Sequence, residues 1–266
     1  MAVLGTVAYI AGFDSLSLSE GAAGGESFPP VFPCFRGLSS GGMERRKPIF
    51  ERGFEIMKKN TVKAMAKEIG AHVSGGNMKV GSIPNWSLTP GRTCSAEACK
   101  TCFVQGCYAC KAYRQYPSTR KAWDENSDLA ERGLEKLEPF FDLYFGGMNA
   151  PRFFRIHVAG DFVSREYAEM WARVAAKHPG TRFLAFTKQW ENVRGVDFPE
   201  NFSLVLSGWE GTTIPEDLSA KYAQAICVNS AEEIPEDGFH CPGSCEHCGA
   251  CWELARRGVN VYFVKH

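Results

Sequence analysis

From residue 151 onward the chain repeats one pattern: a short apolar run, then a stretch long enough to carry the backbone to the start of another run. "FFRIHVAGDF" (153–162) reads as a buried strand, being nearly continuously apolar yet too short for a buried helix. "SREYAEMWARVAAKH" (164–178) follows as a helix, with Tyr167, Met170, Trp171 and Val174 on one face and Ser164 at the N-cap position. "TRFLAFT", "NFSLVLSGW", "AQAICVN" and "VNVYFVKH" are further strands, and "WSLTP" (86–90) makes six. Strands joined by crossovers rather than tight turns pair in parallel. The expected fold is therefore α/β, a parallel sheet or barrel with crossover helices and Cys-rich loops. No internal repeat is visible.

Upstream, residues 49–69 have helical spacing at Phe50, Phe54, Met57, Val62, Met65 and Ile69, and residues 121–145 have it at Leu129, Leu134, Leu137 and Phe141. Residues 14–43 are rich in Ser, Gly and Pro without periodicity and bury too little to offset ordering. The expected organisation is a disordered leader over 1–43 and one α/β domain over 44–266, with Met43 an alternative start. Cys34 is isolated in that leader.

The cysteines are the chemical signal. Nine of eleven fall in two groups, Cys94-x4-Cys99-x2-Cys102-x4-Cys107-x2-Cys110 and Cys241-x3-Cys245-x2-Cys248-x2-Cys251. The opening "MAVLGTVAYIAGF" lacks the basic start of a secretory signal, and no apolar run is long enough to span a membrane. For a chain expected in the cytoplasm, closely spaced cysteines in odd number argue for metal over disulfides. Four thiolates within eleven residues can wrap an iron–sulfur cubane. Split pairs such as Cys99/Cys102 with Cys248/Cys251 can also hold structural zinc, and His240 or His247 could replace a thiolate. The first group follows the first strand, and in α/β barrels the loops after strands build the active site. Thirty basic residues balance thirty acidic ones, so net charge does not indicate nucleic acid. The local excess over 44–70, eight Lys/Arg against four Glu, reads as a solvated helix face.

Two stretches, "CYACKAYRQYPSTRKAWDENSDL" and "FRIHVAGDFVSREYAEMWARVAAKHPGTRFLAFTKQW", resemble the phage and prophage family called gene product 88. The motifs that carry the resemblance are Cys107-Tyr108-Ala109, Asn126, Gly160-Asp161-Phe162, Phe186-Thr187-Lys188 and the group Cys241 to Cys251, over roughly residues 80–266. It implies a phage- or bacterium-encoded protein and names no substrate.

The layout is also similar to radical S-adenosylmethionine (SAM) enzymes. Those hold a [4Fe–4S] cluster on three cysteines after the first strand of a partial (β/α)6 barrel, and one electron from it cleaves SAM to a substrate-activating radical. The six expected strands match that barrel's count, so the resemblance implies a partial (β/α)6 barrel-like parallel sheet. That resemblance implies an electron donor such as a flavodoxin or ferredoxin. It places "AGDF" where such enzymes hold the SAM amino group, so Gly160 and Asp161 become cofactor contacts. The early spacing departs from the usual Cys-x3-Cys-x2-Cys, which occurs instead at Cys241, Cys245 and Cys248.

The resulting expectation is an iron–sulfur protein, a redox or radical enzyme on an unidentified substrate, carrying one or two [4Fe–4S] clusters and SAM. Its metal ligands would be Cys94, Cys99, Cys102, Cys107, Cys241, Cys245, Cys248 and Cys251, and its cofactor contacts Gly160, Asp161, Lys188 and Ser207. The alternatives are a zinc-stabilised, non-enzymatic binding module and a thiol redox sensor. His157, alternating with apolar neighbours, reads as a buried, satisfied histidine; Trp171, Trp190, Trp209 and Trp252 read as core or pocket walls.

Overall fold

The computed structural model describes residues 49–77, 80–104, 106–209 and 211–264. The expected leader with Cys34 and Met43, and the side chains of Phe50, Phe54 and Met57, lie outside the described residues. Helix α1 (Ile49–Ile69) forms where the periodicity places it. It turns Val62, Met65 and Ile69 to the core and exposes Lys59, Lys63 and Lys67 to solvent.

Strands β1 (Asn85–Trp86), β2 (Phe153–Ile156), β3 (Arg182–Thr187), β4 (Phe202–Ser207), β5 (Ala223–Val228), β6 (Phe239–His240) and β7 (Val261–Val264) make one all-parallel sheet. Its order is β1-β2-β3-β4-β5-β7-β6. Each of the six expected strands has a counterpart, although β1 shares only Trp86 with the expected 86–90, and β6 is a seventh. It has only two residues, too few to show alternation, and it is held by β7 alone. β2 stops well short of the expected 162, because His157 turns to φ 60° and leaves the extended region.

Between β1 and β2 come α2 (Ala96–Val104), α3 (Tyr108–Gln115), α4 (Pro117–Arg132) and α5 (Leu134–Phe145). The single helix expected over 121–145 is thus two, broken where Gly133 leaves helical geometry at φ −134°. α6 (Arg165–Lys177) connects β2 to β3, and Ser164 caps it by accepting the Tyr167 N–H. Four-residue helices α7 (Trp190–Val193) and α8 (Glu216–Ser219) serve the next two crossovers. α9 (Cys245–Cys248) and α10 (Cys251–Leu254) lie between β6 and β7.

The sheet has two unlike faces. Trp86, Phe154, Ile156, Phe183, Ala185, Leu204 and Leu206 face the helices and pack with Leu137, Phe141, Met170, Trp171 and Val174. Each such Val, Leu, Ile, Met or Phe side chain, fully removed from water, stabilises by about 1.5–3 kcal/mol before entropy is counted. The alternate residues Leu184, Val205, Ala223 and Ala225 form a smaller core on the inner face. Its cover is the segment after β6: Trp252 and Ala255 are buried there, with Phe153, Phe186, Cys245, Cys251 and Phe263 packed around them. Trp252 is fixed by its Nε1–H to the Arg182 carbonyl (3.1 Å) and by its own carbonyl, which accepts from Ser203 Oγ (2.9 Å). A parallel sheet covered on both faces has no solvent side, which explains the uninterrupted apolar run Phe183–Phe186 of β3 and the full burial of β4.

Candidate metal centre

Because every strand runs the same way, the loops after β1, β2, β3, β4 and β6 leave from one edge of the sheet. The early cysteine group occupies the first of these. Beyond β1, the Leu88 N–H donates to the Ala159 carbonyl (2.8 Å) and the Thr89 N–H to Ser127 Oγ (2.9 Å), which pins this loop to the loop after β2 and to α4. Asn126, buried on α4, adds three bonds: Oδ1 accepts the His72 N–H (2.8 Å), and Nδ2 donates to the carbonyls of His72 (2.9 Å) and Ser87 (3.0 Å). The motif asparagine therefore braces the loop from behind.

Cys94 precedes α2, Cys99 and Cys102 ride on it, Cys107 begins α3 and Cys110 lies within it. The turn between the helices is closed by the Cys107 N–H donating to the Cys102 carbonyl (3.0 Å). The Cys94 and Cys99 thiols are hydrogen-bonded, as are those of Cys107 and Cys110. Burial pushes the Cys94 thiol up to about 12, against a backbone N–H at Gly91, and the Cys110 thiol up to about 11. Cys99 and Cys102 are also raised by burial, with the Lys188 charge opposing at Cys102. Without a metal such thiols stay protonated at neutral pH, the reverse of the acidic, reactive thiols a redox sensor needs.

The Gly160-Asp161-Phe162 motif fills the second loop. Asp161 accepts Thr187 Oγ1–H (2.6 Å), the Lys188 N–H (2.7 Å) and the Phe162 N–H (2.8 Å), joining the ends of β2 and β3. Burial pushes its carboxyl up to about 6, opposed by those donors and by the Lys188 charge. Lys188 thus lies within electrostatic reach of both Asp161 and Cys102. Gly160 has φ 77°, and a Cβ there would stand 2.6 Å from both Leu88 Cβ and Thr93 Oγ1; only glycine lets the two loops approach so closely. Ser207, at the end of β4, shares the inner-face side of its strand with Ser203 and Val205. Its carbonyl accepts from Trp190 Nε1 (3.2 Å), and the Trp190 ring meets Trp209 at 4.8 Å. The early cysteines, Asp161 and Lys188 are brought together, while Ser207's hydrogen bond leads toward Trp190.

The late group begins beside the edge strand, where the Cys241 N–H donates to the Tyr262 carbonyl (2.9 Å), and then crosses the inner face. Gly249, at φ 62°, ends α9 and redirects the chain into α10. Glu246 anchors the crossing to the segment before β1, accepting from Ser82 N (3.1 Å) and Ser82 Oγ (2.7 Å). Cys251 is pushed up to about 12 by burial, with Arg155 opposing and Cys241, Cys245 and Cys248 adding to the rise. His247 Nδ1 is hydrogen-bonded with Ser244 Oγ (2.8 Å) and His240 is exposed on β6.

Sequence reasoning missed Arg155 and Tyr108. Arg155 shares the inner-face side of β2 with Phe153, and its guanidinium lies 4.1 Å from the Phe186 ring centroid. Tyr108 is 59% exposed over the whole residue, yet its hydroxyl reaches inward to donate to the Val158 carbonyl. That hydroxyl's proton affinity is raised by burial, opposed by Arg155 and reinforced by Cys107, Cys94 and Cys245. Tyr108 therefore feels thiols of both groups. Cys227, exposed on β5 and in phase with inner-face Ala223 and Ala225, lies in the field of Cys102. The available signal was a cation inside a strand otherwise read as buried. Among the described residues, no three His, Cys, Asp or Glu side chains are gathered tightly enough to hold a single metal ion. His157 is buried, but only half satisfied: Nε2 pairs with the Tyr167 hydroxyl (3.0 Å), and Nδ1 has no partner.

These features define a cysteine-rich α/β protein with an all-parallel sheet and thiol groups after its first and sixth strands. The chain belongs to the gene product 88 family, whose model matches residues 56–254. It is similar to the Gene 88 protein of Mycobacterium phage L5, 29% identical over 126 residues, which are 44% of this chain and 53% of that protein. The chain thus spans about half the length of that relative. No solved structure matches it. Among the described residues, no helix is long and apolar enough to cross a membrane.

Proposed function

We propose that this protein is an iron–sulfur protein acting in redox or radical chemistry, with one centre on the early cysteines and a second on Cys241, Cys245, Cys248 and Cys251. The observation that carries this reading is the placement of the five early thiols in the loops after β1, beside Asp161 and Lys188 at the sheet edge where parallel α/β proteins collect their ligands. The donor set fits: it is all sulfur, as thiolate-ligated clusters require. A cubane takes one thiolate per iron, so its ligands need not gather around a single ion. When bound, such a cluster supplies electrons one at a time.

The chain's own residues would do the rest. Asp161 and Lys188 offer an acceptor and a cation beside the early group, suited to an amino acid's ammonium and carboxylate, as SAM would require. Trp190 and Trp209 would wall the adjoining space. Thr187 and the Lys188 N–H hold the Asp161 carboxylate in place.

The zinc-module reading keeps one specific support, the packing of Cys245 and Cys251 into the inner-face core, where a metal would brace the fold. Anaerobic purification followed by iron, sulfide and zinc determination and an absorption spectrum separates the two. Several irons with matching sulfide and a broad band near ~400 nm support the iron–sulfur reading, and adding SAM with a reductant should then yield 5′-deoxyadenosine. A colourless protein with stoichiometric zinc would replace that reading with the structural module.

A further inference from the structure

We propose that Arg155 is the built-in counter-charge of the late cysteine centre. The inference rests on the reading that Cys241, Cys245, Cys248 and Cys251 hold a metal, but not on which metal it is.

A guanidinium remains charged under all ordinary conditions, so burying one demands an anion nearby. Arg155 is half-buried, its Nε is fully buried with no acceptor, and among the described residues no Asp or Glu is among the charges acting on it. The Phe186 ring at 4.1 Å gives a cation–π contact, which orients the guanidinium but carries no net charge. Cys245 and Cys251 pack against the same inner-face cluster as Phe186. The groups within Arg155's electrostatic reach are Cys245, Tyr108, Cys251 and Cys241. As neutral thiols they cannot balance a half-buried cation. Four thiolates around divalent zinc, or around a cubane core of charge 2+, leave a net charge of about −2. A permanent cation on the inner face would balance part of it and favour thiolate over thiol. This also accounts for Arg155 in a strand whose helix-side neighbours, Phe154 and Ile156, are fully buried.

The test compares wild-type protein with Arg155→Met, Arg155→Gln and Arg155→Lys, all purified without oxygen and reconstituted alike. The readouts are metal and sulfide per chain, the rate of metal loss to a chelator and, for an iron-containing protein, the midpoint potential; circular dichroism monitors folding. Arg155→Met and Arg155→Gln should lose the late metal about 10- to 100-fold faster, the range for changing a group that supports metal ligands, and should lower the potential. Arg155→Lys should retain most of the wild-type behaviour. If Arg155→Met does not fold, the contrast between Gln and Lys still decides. Wild-type retention and potential in the neutral variants would overturn the proposal while leaving the metal reading intact. A metal-free wild type after reconstitution would overturn both.

Discussion

His157 offers the most quantitative test of the fold. Its imidazole is buried at the end of β2, with one nitrogen on the Tyr167 hydroxyl and the other unpartnered. Desolvation, reinforced by the nearby Arg155 charge, pushes its pKa down to about 3 from the ordinary 6.5. Between those values the unfolded chain binds a proton that the native protein refuses, so native stability falls as pH falls. The slope approaches about 1.4 kcal/mol per pH unit, and the integrated loss from ~pH 7.5 to ~pH 4.5 is roughly 2.5 kcal/mol. Asp161 acts in the opposite sense. Its carboxyl is raised to about 6 from 3.8, so the native state holds its proton more tightly and gains stability as pH falls through that interval. The two contributions oppose each other in the wild-type profile, which makes the difference from a variant the informative quantity. His157→Asn removes the titration and tolerates the positive φ. Urea midpoints followed by tryptophan fluorescence at several pH values should show the wild-type advantage over the variant shrinking by roughly 2.5 kcal/mol across the interval. Parallel curves would refute the reasoning, because they would mean that His157 protonates in the native protein as readily as in the unfolded chain.

Three further outcomes are expected. Gly160→Ala should cost about 3 kcal/mol, from the positive φ together with the contacts at Leu88 and Thr93; a loss below about 1 kcal/mol in denaturant titration would contradict the close approach of the two loops. Asn126→Ala strips partners from the His72 N–H and from the His72 and Ser87 carbonyls, so a loss of about 3 kcal/mol is expected in the same titration. Near-neutral behaviour would mean that water readily replaces the bracing amide. Cys99→Ser should reduce the metal of the early group and leave the late group loaded, while Cys248→Ser should do the reverse; total metal that collapses in both variants would replace two centres with one shared centre.

Much of this architecture was legible because β3 is apolar on both faces, and only a sheet covered on both sides needs that. The crossovers then dictated parallel pairing, and Ser164 marked the start of α6. The insertion of β7 between β5 and β6 was not legible, since pairing order across a long excursion leaves no local pattern. Gly133 was passed over because the apolar spacing runs through it unbroken on both sides. The cysteines announced themselves by spacing, yet spacing says nothing of what lies between two groups. Arg155 comes within reach of the late group, and Tyr108 of both, only through strand register and the path of α3. The motif residues also acquired definite mechanical roles: Asn126 as a brace, Gly160 as a close-approach point and Asp161 as a clasp between strand ends. Their roles toward a ligand belong to the proposed function.

The placement of β7 has a consequence for how the molecule assembles. β1 to β5 are contiguous in both sequence and sheet order, so they can zip up as the chain emerges. β6 cannot join them, because its described partner is β7, which arrives some twenty residues later. Until Val261–Val264 dock against β5, the segment carrying Cys241 to Cys251 is an open loop over an uncovered apolar face. Sheet completion and closure of the late cysteine group are therefore one event. A metal captured early would shorten the search for β7, and one withheld would leave an exposed apolar face and a parallel strand edge, the features through which a nascent chain sticks to its neighbours.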